Sequence, residues 1–417
     1  MTGRATFIVL LALLLASCGQ PAAPIPTIGT ETGSIGEAVD EQIQALMEEG
    51  EIPSLAASIV VNDSLVWAKG YGEQPDLDAV YAVGSIAKPF IATAVLQLYE
   101  SGALDLDDDV NDYLPFPVRH PDYPNTPVTI RMLLAHRAGM AHDLPNSRLY
   151  DNDRAMLWWA FWNRGFDVEN LTSMLAGRPS LGEFLEESFS PGGKYHSPEF
   201  WISEPGTSYQ YSNAGLQQLL PYVVERVSQQ PFADYVQENI LDPLGMNNTG
   251  YEASDFSERL ASPHEQIGGV LRALPRTGWS ASGKLRSSVL DLSQFLIAHL
   301  NPGRNGDVQL LQPRTIELMH GLISPLDWPA FFGLHWQGYG LGWELYRDGY
   351  QGHPGACPGY LANIVLQQED QDRYGVVLMA NRGASFDTTE WASTSYAAIL
   401  NLLLQEAGEL YQEQAEQ

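Results

Sequence analysis

The amino-acid sequence predicts an α+β protein in which an antiparallel sheet flanked by helices adjoins a second, largely helical lobe. Two observations lead to this fold class. Runs rich in β-branched and aromatic residues occur near both ends of the folded part of the chain, whereas the region from about 105 to 270 is loop-rich and mostly helical in pattern. Strands from the two ends should meet in one sheet, with a cleft between the lobes as the expected place for chemistry.

The first predicted elements are a helix, a hairpin and a second helix. Apolar residues recur at helical spacing from Ile35 to a glycine stop. The runs Ser54–Val61 and Ser64–Tyr71 are rich in β-branched residues, and the dipeptide Asn62-Asp63 between them is typical of a hairpin turn. A second helical pattern extends from Ile86 to Glu100.

The later elements complete the sheet and cover it. An amphipathic stretch from Leu216 to Val227 predicts a helix in the middle region, and a final helix is expected from about Thr388 to Glu409. Four strands are predicted between these two helices. They are Tyr339–Tyr346, Gln351–Cys357, Tyr360–Gln367 and Tyr374–Asn381.

Composition divides the chain into an export segment, a linker, one folded domain and a tail. The linker is rich in Pro, Gly and Thr and has no hydrophobic period, which is typical of a flexible tether. The predicted parts are a signal peptide at 1–17, a lipid-bearing cysteine with its linker at 18–34, a domain at 35–404 (sheet lobe about 35–104 and 271–404, helical lobe about 105–270) and a polar tail at 405–417.

The amino terminus has the pattern of a bacterial lipoprotein signal. Arg4 is followed by an apolar run from Ala5 to Ala16, which is too short to span a bilayer because a spanning helix needs roughly 20 residues. The run ends in Leu-Ala-Ser before Cys18, which resembles a lipobox and predicts Cys18 as a lipid attachment site. An ordinary signal peptide with a chance cysteine is the alternative. Either way we expect an exported protein, and the lipobox predicts anchoring at a membrane surface facing the periplasm or the extracellular side.

The charge balance excludes one large class of partners. The 417 residues include 22 Lys and Arg against 51 Asp and Glu, which gives a formal charge of −29. Nucleic acid requires clustered basic residues, so it is not an expected partner. Adaptation to a saline medium and an ordinary acidic exported protein both explain the charge, and the sequence leaves that choice, like the oligomeric state, open.

Ser85 and Lys88 form an S-x-x-K pair at the start of a predicted helix. Residues three apart on a helix share a face, so the amine can reach the serine hydroxyl. A hydroxyl needs an adjacent base to become a nucleophile, and a lysine desolvated in a cleft can have its pKa lowered enough to act as one. The alternative is that Ser85 only caps the helix while Lys88 is solvated.

The stretch Tyr211-Ser212-Asn213 is the second motif. Two other Y-x-N patterns, at Tyr123 and Tyr150, lack its surroundings: a preceding Glu-Pro-Gly-Thr and a following amphipathic helix. A phenol beside the serine and lysine can relay a proton to a leaving group, and the Asn213 amide can orient the lysine or the substrate.

The third motif is His353-Pro354-Gly355-Ala356, on a predicted strand in the last third. A glycine permits close approach of the backbone to a ligand. The N–H groups of Ala356 and Ser85 could together form an oxyanion hole.

Together the three motifs resemble the serine β-lactamase and penicillin-binding superfamily, on the class C side that includes D,D-peptidases and carboxylesterases. The resemblance covers about Ile35 to Leu404 and extends to three further stretches, Leu133–Met140, Asp242–Met246 and Tyr339–Trp343. It implies a β-lactamase/transpeptidase-like fold. It also implies that Ser85 is the acylated nucleophile, Lys88 its base, Tyr211 the phenol partner and Asn213 its amide.

The third motif departs from the family pattern, in which a lysine and a hydroxyl residue usually stand where this chain has His353 and Pro354. Histidine is mostly neutral at pH 7, and proline has neither a hydroxyl nor an N–H. Both changes weaken recognition of a substrate carboxylate. We therefore expect a serine hydrolase acting on an ester or amide, with a small-molecule or peptide acyl substrate. A D,D-carboxypeptidase or weak β-lactamase acting on peptidoglycan-like substrates, and a catalytically silent envelope binding protein, are the alternatives.

Other chemical candidates have simpler interpretations, and we predict neither a metal nor a cofactor. His136 and His142 show no metal-ligand spacing and are interpreted as loop or core histidines. Cys357 is interpreted as a small hydrophobic residue rather than a nucleophile. A short acidic stretch lacks the calcium-loop pattern and predicts a solvated turn. It contains Asp105, Asp107, Asp108 and Asp109.

The aromatic run from Leu157 to Trp162 is the remaining unusual feature. Its simplest interpretation is the core of a helical insertion. A wall over the cleft or a membrane-touching patch are the alternatives.

Overall fold

The structure is a computed structural model. It describes residues 31–145, 179–267, 270–274, 285–326, 333–368, 373–383 and 394–416. The signal and lipidation predictions around Cys18, and the aromatic run from Leu157 to Trp162, lie outside the described residues. Those predictions remain as stated.

Strands from both ends of the chain meet in one antiparallel sheet, which confirms the α+β prediction. The described strands, numbered in chain order, are β1 (Glu31–Thr32), β2 (Ser54–Val61), β3 (Ser64–Gly72), β4 (Tyr81–Ala82), β5 (His264–Ile267), β6 (Val270–Ala273), β7 (Arg286–Ser287), β8 (Arg304–Asn305), β9 (Val308–Gln309), β10 (Ser324–Pro325), β11 (Trp336–Tyr339), β12 (Glu344–Tyr346), β13 (Tyr350–Cys357), β14 (Tyr360–Gln367) and β15 (Tyr374–Ala380). In this part of the chain nine of them form the main sheet in the order β1-β3-β2-β15-β14-β13-β12-β11-β10. The pairs β4-β7, β5-β6 and β8-β9 are separate ribbons.

Helices lie on both faces of the sheet and fill the region between its two sequence halves. The described α-helices are α1 (Glu37–Glu49), α2 (Ala87–Glu100), α3 (Ile130–Leu134), α4 (Leu181–Phe189), α5 (Leu220–Ser228), α6 (Phe232–Val236), α7 (Asp242–Leu244), α8 (Val289–Leu300), α9 (Pro313–Met319) and α10 (Ser395–Ala415). Short 3-10 turns span 84–86, 110–112, 198–200, 253–256 and 347–349, and π-helical turns span 214–219 and 237–241. In the described part of the chain, no helix is long and apolar enough to cross a membrane.

The sheet has a packed core on each face. All eight residues of β2 are buried, which is why this strand is an almost continuous apolar run rather than an alternating one. Ile59 faces the core built with α1 and α10, whereas Val60 faces the core that contains α2 and α8. One face of the sheet therefore packs in the same core as α2, the helix that begins just after Ser85.

The prediction of one strand from Tyr339 to Tyr346 is wrong. The chain turns through Gly340–Trp343, and Tyr339 pairs with Glu344 across the resulting hairpin. Gly342 has a φ of +80°, a conformation that glycine adopts without steric cost. The turn brings Gly342 against α2, because a Cβ on this glycine would lie 2.5 Å from the Ala92 Cβ.

The carboxy-terminal helix continues past its predicted end at Glu409, as far as Ala415. The stretch expected to be a polar tail at 405–417 is therefore mostly the last turns of α10. Ala407 is fully buried, and Leu410 and Tyr411 pack against the core of this face. The polar residues between them face solvent, which explains the tail-like composition.

Candidate active site

Ser85 lies in the tight turn that joins β4 to α2. The turn spans Gly84–Ile86, and Gly84 has a φ of +54°. β4 belongs to a short ribbon with β7 rather than to the main sheet. This sharp strand-to-helix connection leaves Ser85 half-buried while its neighbours Gly84 and Ile86 are buried.

Lys88 lies one turn further on and is fully buried. Its Nζ lies 2.9 Å from the Ser85 Oγ, 2.9 Å from the Asn213 Oδ1 and 2.8 Å from the Gln217 Oε1. The two amide oxygens can only accept hydrogen bonds, so they take two amine protons. The remaining position around the Lys88 nitrogen faces the Ser85 Oγ, and in a neutral amine this position holds the lone pair.

Burial lowers the pKa of Lys88 well below its usual value, although the carboxyl groups of Glu344 and Asp143 act in the opposite direction. A fully buried ammonium loses its hydration, and this cost favours the neutral amine. The arrangement gives Ser85 a base within hydrogen-bond reach. The alternative in which Lys88 is solvated is therefore wrong.

Tyr211 contacts Ser85 from the second motif. Its hydroxyl lies 2.9 Å from the Ser85 Oγ, and the Lys88 Nζ lies 4.5 Å from the centre of its ring. Burial raises the pKa of the Tyr211 phenol above its usual value, so the phenol keeps its proton and can donate it. Tyr211 thus donates to the Ser85 Oγ, and Ser85 can donate in turn to Lys88 when the amine is neutral.

Asn213 connects the second motif to a carboxylate at the edge of the site. Its Oδ1 accepts from Lys88, and its Nδ2 donates to the Asp143 Oδ1 at 2.9 Å. Gln217 is four residues further on, so it shares a helix face with Asn213 and reaches the same amine. The chain forms a π-helical turn across Ala214–Leu219, a feature frequent at functional sites.

The third motif approaches Ser85 through backbone atoms. A Cβ added to Gly355 would lie 1.9 Å from the Val83 carbonyl oxygen, and one added to Gly84 would lie 2.8 Å from the Ala356 nitrogen. Both glycines are therefore required for β13 to pack against the Ser85 turn. The structure brings Ala356 beside this turn, and its role in an oxyanion hole stays a prediction.

His353 is buried behind the site rather than exposed to a substrate. Its Nε2 accepts from the Tyr339 hydroxyl at 3.1 Å, and its Nδ1 lies 2.7 Å from the Pro354 carbonyl oxygen. Burial and then the nearby Lys88 lower the pKa of His353 to about 3, so the ring is neutral. Both ring nitrogens are engaged within the protein. His353 therefore supports Tyr339 and offers no charge to the cleft.

Pro354 lies where β13 has lost one neighbour. β12 pairs with β13 at Gly352 and Gln351, whereas β14 pairs with it along its whole length. The sheet therefore tolerates a proline at this position, as expected for a strand edge facing a cleft.

Glu344 is a buried carboxyl group that motif reasoning missed. It lies on β12, directly after the turn at Gly340–Trp343, and its Oε2 accepts from the Tyr346 hydroxyl at 2.7 Å. Burial raises the pKa of Glu344 to about 8, against the lowering effects of that hydrogen bond and of Lys88. At neutral pH this carboxyl group is mostly protonated. The sequence signal that could have identified it is its position directly after Tyr339–Trp343, a stretch that resembles the family.

Cys357 and the acidic turn at 105–109 show no competing chemistry. Cys357 is half-buried, and burial raises the pKa of its thiol to about 12, so it is not a ready nucleophile. The acidic turn carries arginine partners: Asp107 contacts Arg131, and Asp109 contacts Arg119. Among the described residues, no cluster of three or more His, Cys, Asp or Glu side chains could hold a metal ion.

Comparison with known proteins identifies the family. Residues 39–398 match the family model described as Beta-lactamase. The chain belongs to this family. The resemblance to the serine β-lactamase and penicillin-binding superfamily, and the fold it implies, are thereby confirmed.

Two curated relatives from distant organisms are similar over most of this member of the family. Protein flp from Staphylococcus aureus strain N315 is 25% identical over 372 residues, covering 85% of this chain and 65% of the relative. Beta-lactamase-like protein 4 from Dictyostelium discoideum is 26% identical over 364 residues, covering 79% of this chain and 57% of the relative. The chain thus spans less than two thirds of the length of these relatives.

Solved structures share the fold. The octameric penicillin-binding protein homologue from Pyrococcus abyssi has a TM-score of 0.68 and 26% identity, covering 88% of this chain and 76% of its own. The D-amino acid amidase from Ochrobactrum anthropi SV3 has a TM-score of 0.65 and 20% identity, covering 89% and 99% of the two chains. At that identity the second likeness establishes the fold alone.

Proposed function

We propose that this protein is a serine hydrolase that forms an acyl-enzyme on Ser85 and acts on an uncharged ester or amide. The hydrogen-bonded row Tyr211–Ser85–Lys88, with both distances at 2.9 Å, carries the proposal. A serine between a buried neutral amine and a phenol donor is arranged to lose its proton to the amine. Membership of the Beta-lactamase family supports the same reaction class.

Acylation begins when the Ser85 oxygen attacks the substrate carbonyl carbon and its proton passes to the Lys88 amine. The carbonyl oxygen becomes an oxyanion, for which the N–H groups of Ser85 and Ala356 are the candidate donors. The tetrahedral intermediate then collapses and breaks the bond to the leaving group. Tyr211 donates a proton to that group and is reprotonated from Lys88, so the serine proton ends on the alcohol or amine released.

Deacylation repeats these steps with water in place of the serine. Lys88 accepts a proton from the water as its oxygen attacks the acyl carbon. The second tetrahedral intermediate expels the Ser85 oxygen, which recovers a proton, and the carboxylic acid leaves. The two steps together are hydrolysis.

The preference for uncharged substrates follows from the third motif. A substrate carboxylate needs a cation or several donors, but His353 is neutral and directs both nitrogens into the protein. Burial also disfavours the charged form of Lys88, the basic side chain beside Ser85. Leaving an anion without a partner in a cleft is costly. β-Lactams and peptides ending in a free carboxylate are therefore expected to be poorer substrates.

A D,D-carboxypeptidase or weak β-lactamase is the second candidate. It is favoured by the penicillin-binding protein homologue from Pyrococcus abyssi, which is 26% identical to this chain. A catalytically silent binding protein is the third, and the intact Tyr211–Ser85–Lys88 row argues against it.

The test compares covalent labelling and turnover in wild type, Ser85→Ala and Ser101→Ala. Ser101 directly follows the same helix, and its hydroxyl donates to the Leu98 carbonyl oxygen away from the site, so its variant is the matched control. We expect a fluorophosphonate probe to label wild type and Ser101→Ala only. Labelling of Ser85→Ala at the wild-type rate would reject the nucleophile, and an unlabelled wild type would favour the silent binding protein.

Substrate class is decided by three chromogenic substrates with the wild-type protein. We expect a nitrophenyl butyrate and an N-acetyl-D-alanine nitroanilide, both uncharged, to be hydrolysed with kcat/KM at least about 100-fold above that for a cephalosporin carrying a free carboxylate, as missing charge pairing in a site costs several kcal/mol. The reverse order would support the peptidase and β-lactamase candidate.

A further inference from the structure

His136, which belongs to none of the three motifs, holds the chain on both sides of Tyr211. Its backbone carbonyl oxygen accepts from the N–H of Gln210 at 2.7 Å. Its side-chain Nδ1 accepts from the N–H of Ser212 at 3.1 Å. The residues immediately before and after Tyr211 are therefore both fixed to this one histidine.

The backbone of His136 is in an unusual conformation for its environment. Five non-glycine residues in the described part of the chain have positive φ, and four of them occupy exposed or half-buried turns and helix ends. His136 has a φ of +55° and is only 1% exposed. A strained conformation of this kind persists where the surrounding structure imposes it, and such positions cluster at active sites.

The imidazole is set to accept a hydrogen bond rather than to donate one at Nδ1. Because the Ser212 N–H occupies Nδ1, the ring proton lies on Nε2, which has no hydrogen-bond partner within the described residues. Burial, and then the nearby Lys88, lower the pKa of His136 well below its usual value, so the ring stays neutral. The acceptor at Nδ1 is therefore present at the cost of an unpaired N–H donor at Nε2.

The same ring packs directly on the phenol. The centres of the His136 and Tyr211 rings lie 4.5 Å apart, and the Tyr339 ring lies 4.7 Å away on the same histidine. A core histidine without a specific role would have no reason to combine this contact with two hydrogen bonds that flank one tyrosine. Both kinds of contact restrict the position of the Tyr211 hydroxyl.

We propose that His136 is a positioning residue that fixes the Tyr211 hydroxyl at hydrogen-bond distance from the Ser85 Oγ. It acts through the Gln210 and Ser212 backbone and through ring packing, and does not itself touch the reacting atoms. This inference rests on the proposed function, because it assigns Tyr211 a part in proton transfer. It gives a role to a residue that the sequence marked only as a loop or core histidine.

Two substitutions separate the acceptor at Nδ1 from the backbone conformation. Asparagine tolerates positive φ and places its Oδ1 where the Nδ1 stands, so His136→Asn keeps the acceptor. Glycine also tolerates positive φ but has no acceptor, so His136→Gly removes it without backbone strain. Both variants retain the carbonyl group that binds Gln210. We expect His136→Gly to lower kcat by about 100-fold with KM within about threefold, and His136→Asn to stay within about tenfold of wild type.

A double-mutant cycle with Tyr211→Phe distinguishes positioning from general stabilisation. If His136 acts through the Tyr211 hydroxyl, adding His136→Gly to Tyr211→Phe should lower kcat by no more than about twofold further. Circular dichroism and thermal melting of every variant identify any that fail to fold. If His136→Gly fails to fold, the kcat of His136→Asn is compared with that of Tyr211→Phe instead.

Three outcomes would overturn the inference. The first is a wild-type kcat in His136→Gly, and the second is an equal loss of kcat in both His136 variants. The third is a full additional loss in the double variant. Failure of the fluorophosphonate to label the wild type would instead overturn the proposed function, so the two failures are distinguishable.

Discussion

Glu344 shows how a single buried side chain changes the chemistry of this site. Its carboxyl group accepts a hydrogen bond from Tyr346, lies close enough to Lys88 and Tyr211 to affect their pKa values, and only 2% of the residue is exposed. Were it ionised at neutral pH, its charge would favour the ammonium form of Lys88. Because burial raises its pKa to about 8, it stays mostly neutral, and Lys88 can remain the base.

This raised pKa predicts a pH-dependent effect of Glu344→Gln on stability. Between the ordinary value of 4.5 and about 8, the folded protein keeps a proton on Glu344 that the unfolded chain releases. The folded state binds more protons there, so this group makes wild type less stable as pH rises. Glutamine keeps an acceptor for Tyr346 and does not titrate, so it makes no pH-dependent contribution to stability. We expect its advantage in free energy of unfolding to grow from pH 5 to pH 8 by up to about 1.4 kcal/mol per unit.

Urea denaturation followed by tryptophan fluorescence at four pH values measures this difference directly. The control is Glu413→Gln, since Glu413 is a solvent-exposed glutamate on the last helix. The difference between variant and wild type therefore contains the loss of the Glu344 proton and the change that the missing carboxyl group causes in the pKa of Lys88, while the effect of burial on Lys88 is common to both proteins and cancels. A difference that does not change with pH would contradict the raised pKa.

At the scale of elements, the Ser85 turn and β13 depend on each other for their geometry. Gly84 has a φ of +54° and faces the Ala356 nitrogen, which would lie 2.8 Å from an added Cβ. Moving β13 away from this glycine would move the Ala356 N–H from its candidate place in the oxyanion hole.

Gly306 offers a matched control for this contact. Its φ is +55°, and an added Cβ would have no atom within 4 Å. We expect Gly84→Ala and Gly306→Ala each to lose about 1–2 kcal/mol of stability from the left-handed backbone. Only Gly84→Ala should also lose kcat/KM, by about 100-fold, as for removal of one oxyanion donor. Nitrophenyl ester kinetics and thermal melting test both, and equal activity in the two variants would argue against the contact.

The elements also show where sequence patterns succeeded. The hairpin strands β2 and β3 agree with their predicted limits, apart from one further residue at the end of β3, because the Asn62-Asp63 turn and the β-branched runs are local signals. The predicted strand from Tyr339 to Tyr346 failed because its residues pair with each other across a glycine turn. Composition alone does not distinguish one long strand from a tight hairpin of two short ones.

At the scale of the whole molecule, we propose that the folded domain is held at a membrane by a lipid on Cys18. The proposal rests on the apolar run, the Leu-Ala-Ser-Cys18 sequence and the flexible linker that follows. We expect the wild-type protein to partition with membranes and into the detergent phase, and Cys18→Ser to remain exported but soluble.

The second cysteine provides the control for this prediction. Cys357 lies in the folded domain on β13, so Cys357→Ser should keep the membrane distribution of wild type. If Cys18→Ser also stayed in the membrane fraction, the prediction of a lipid anchor on Cys18 would be wrong.

The sequence by itself determined the candidate reacting groups and the sheet. The spacing of Ser85 and Lys88 places them on one helix face, and strand patterns at both chain ends predicted a shared antiparallel sheet. These properties are local, since they follow from helix and strand periodicity.

Only the tertiary structure decided the protonation states and the supporting contacts. Gln217 accepts a hydrogen bond from Lys88, His136 accepts one from the residue after Tyr211, and the pKa of Glu344 depends on Lys88. All three residues are distant in sequence from the groups that they affect. His353, predicted to bind substrate or to support the residues that do, has both ring nitrogens engaged inside the protein. The physical reason is that burial, which sets the cost of a charge, is a property of the packed molecule and not of any short segment.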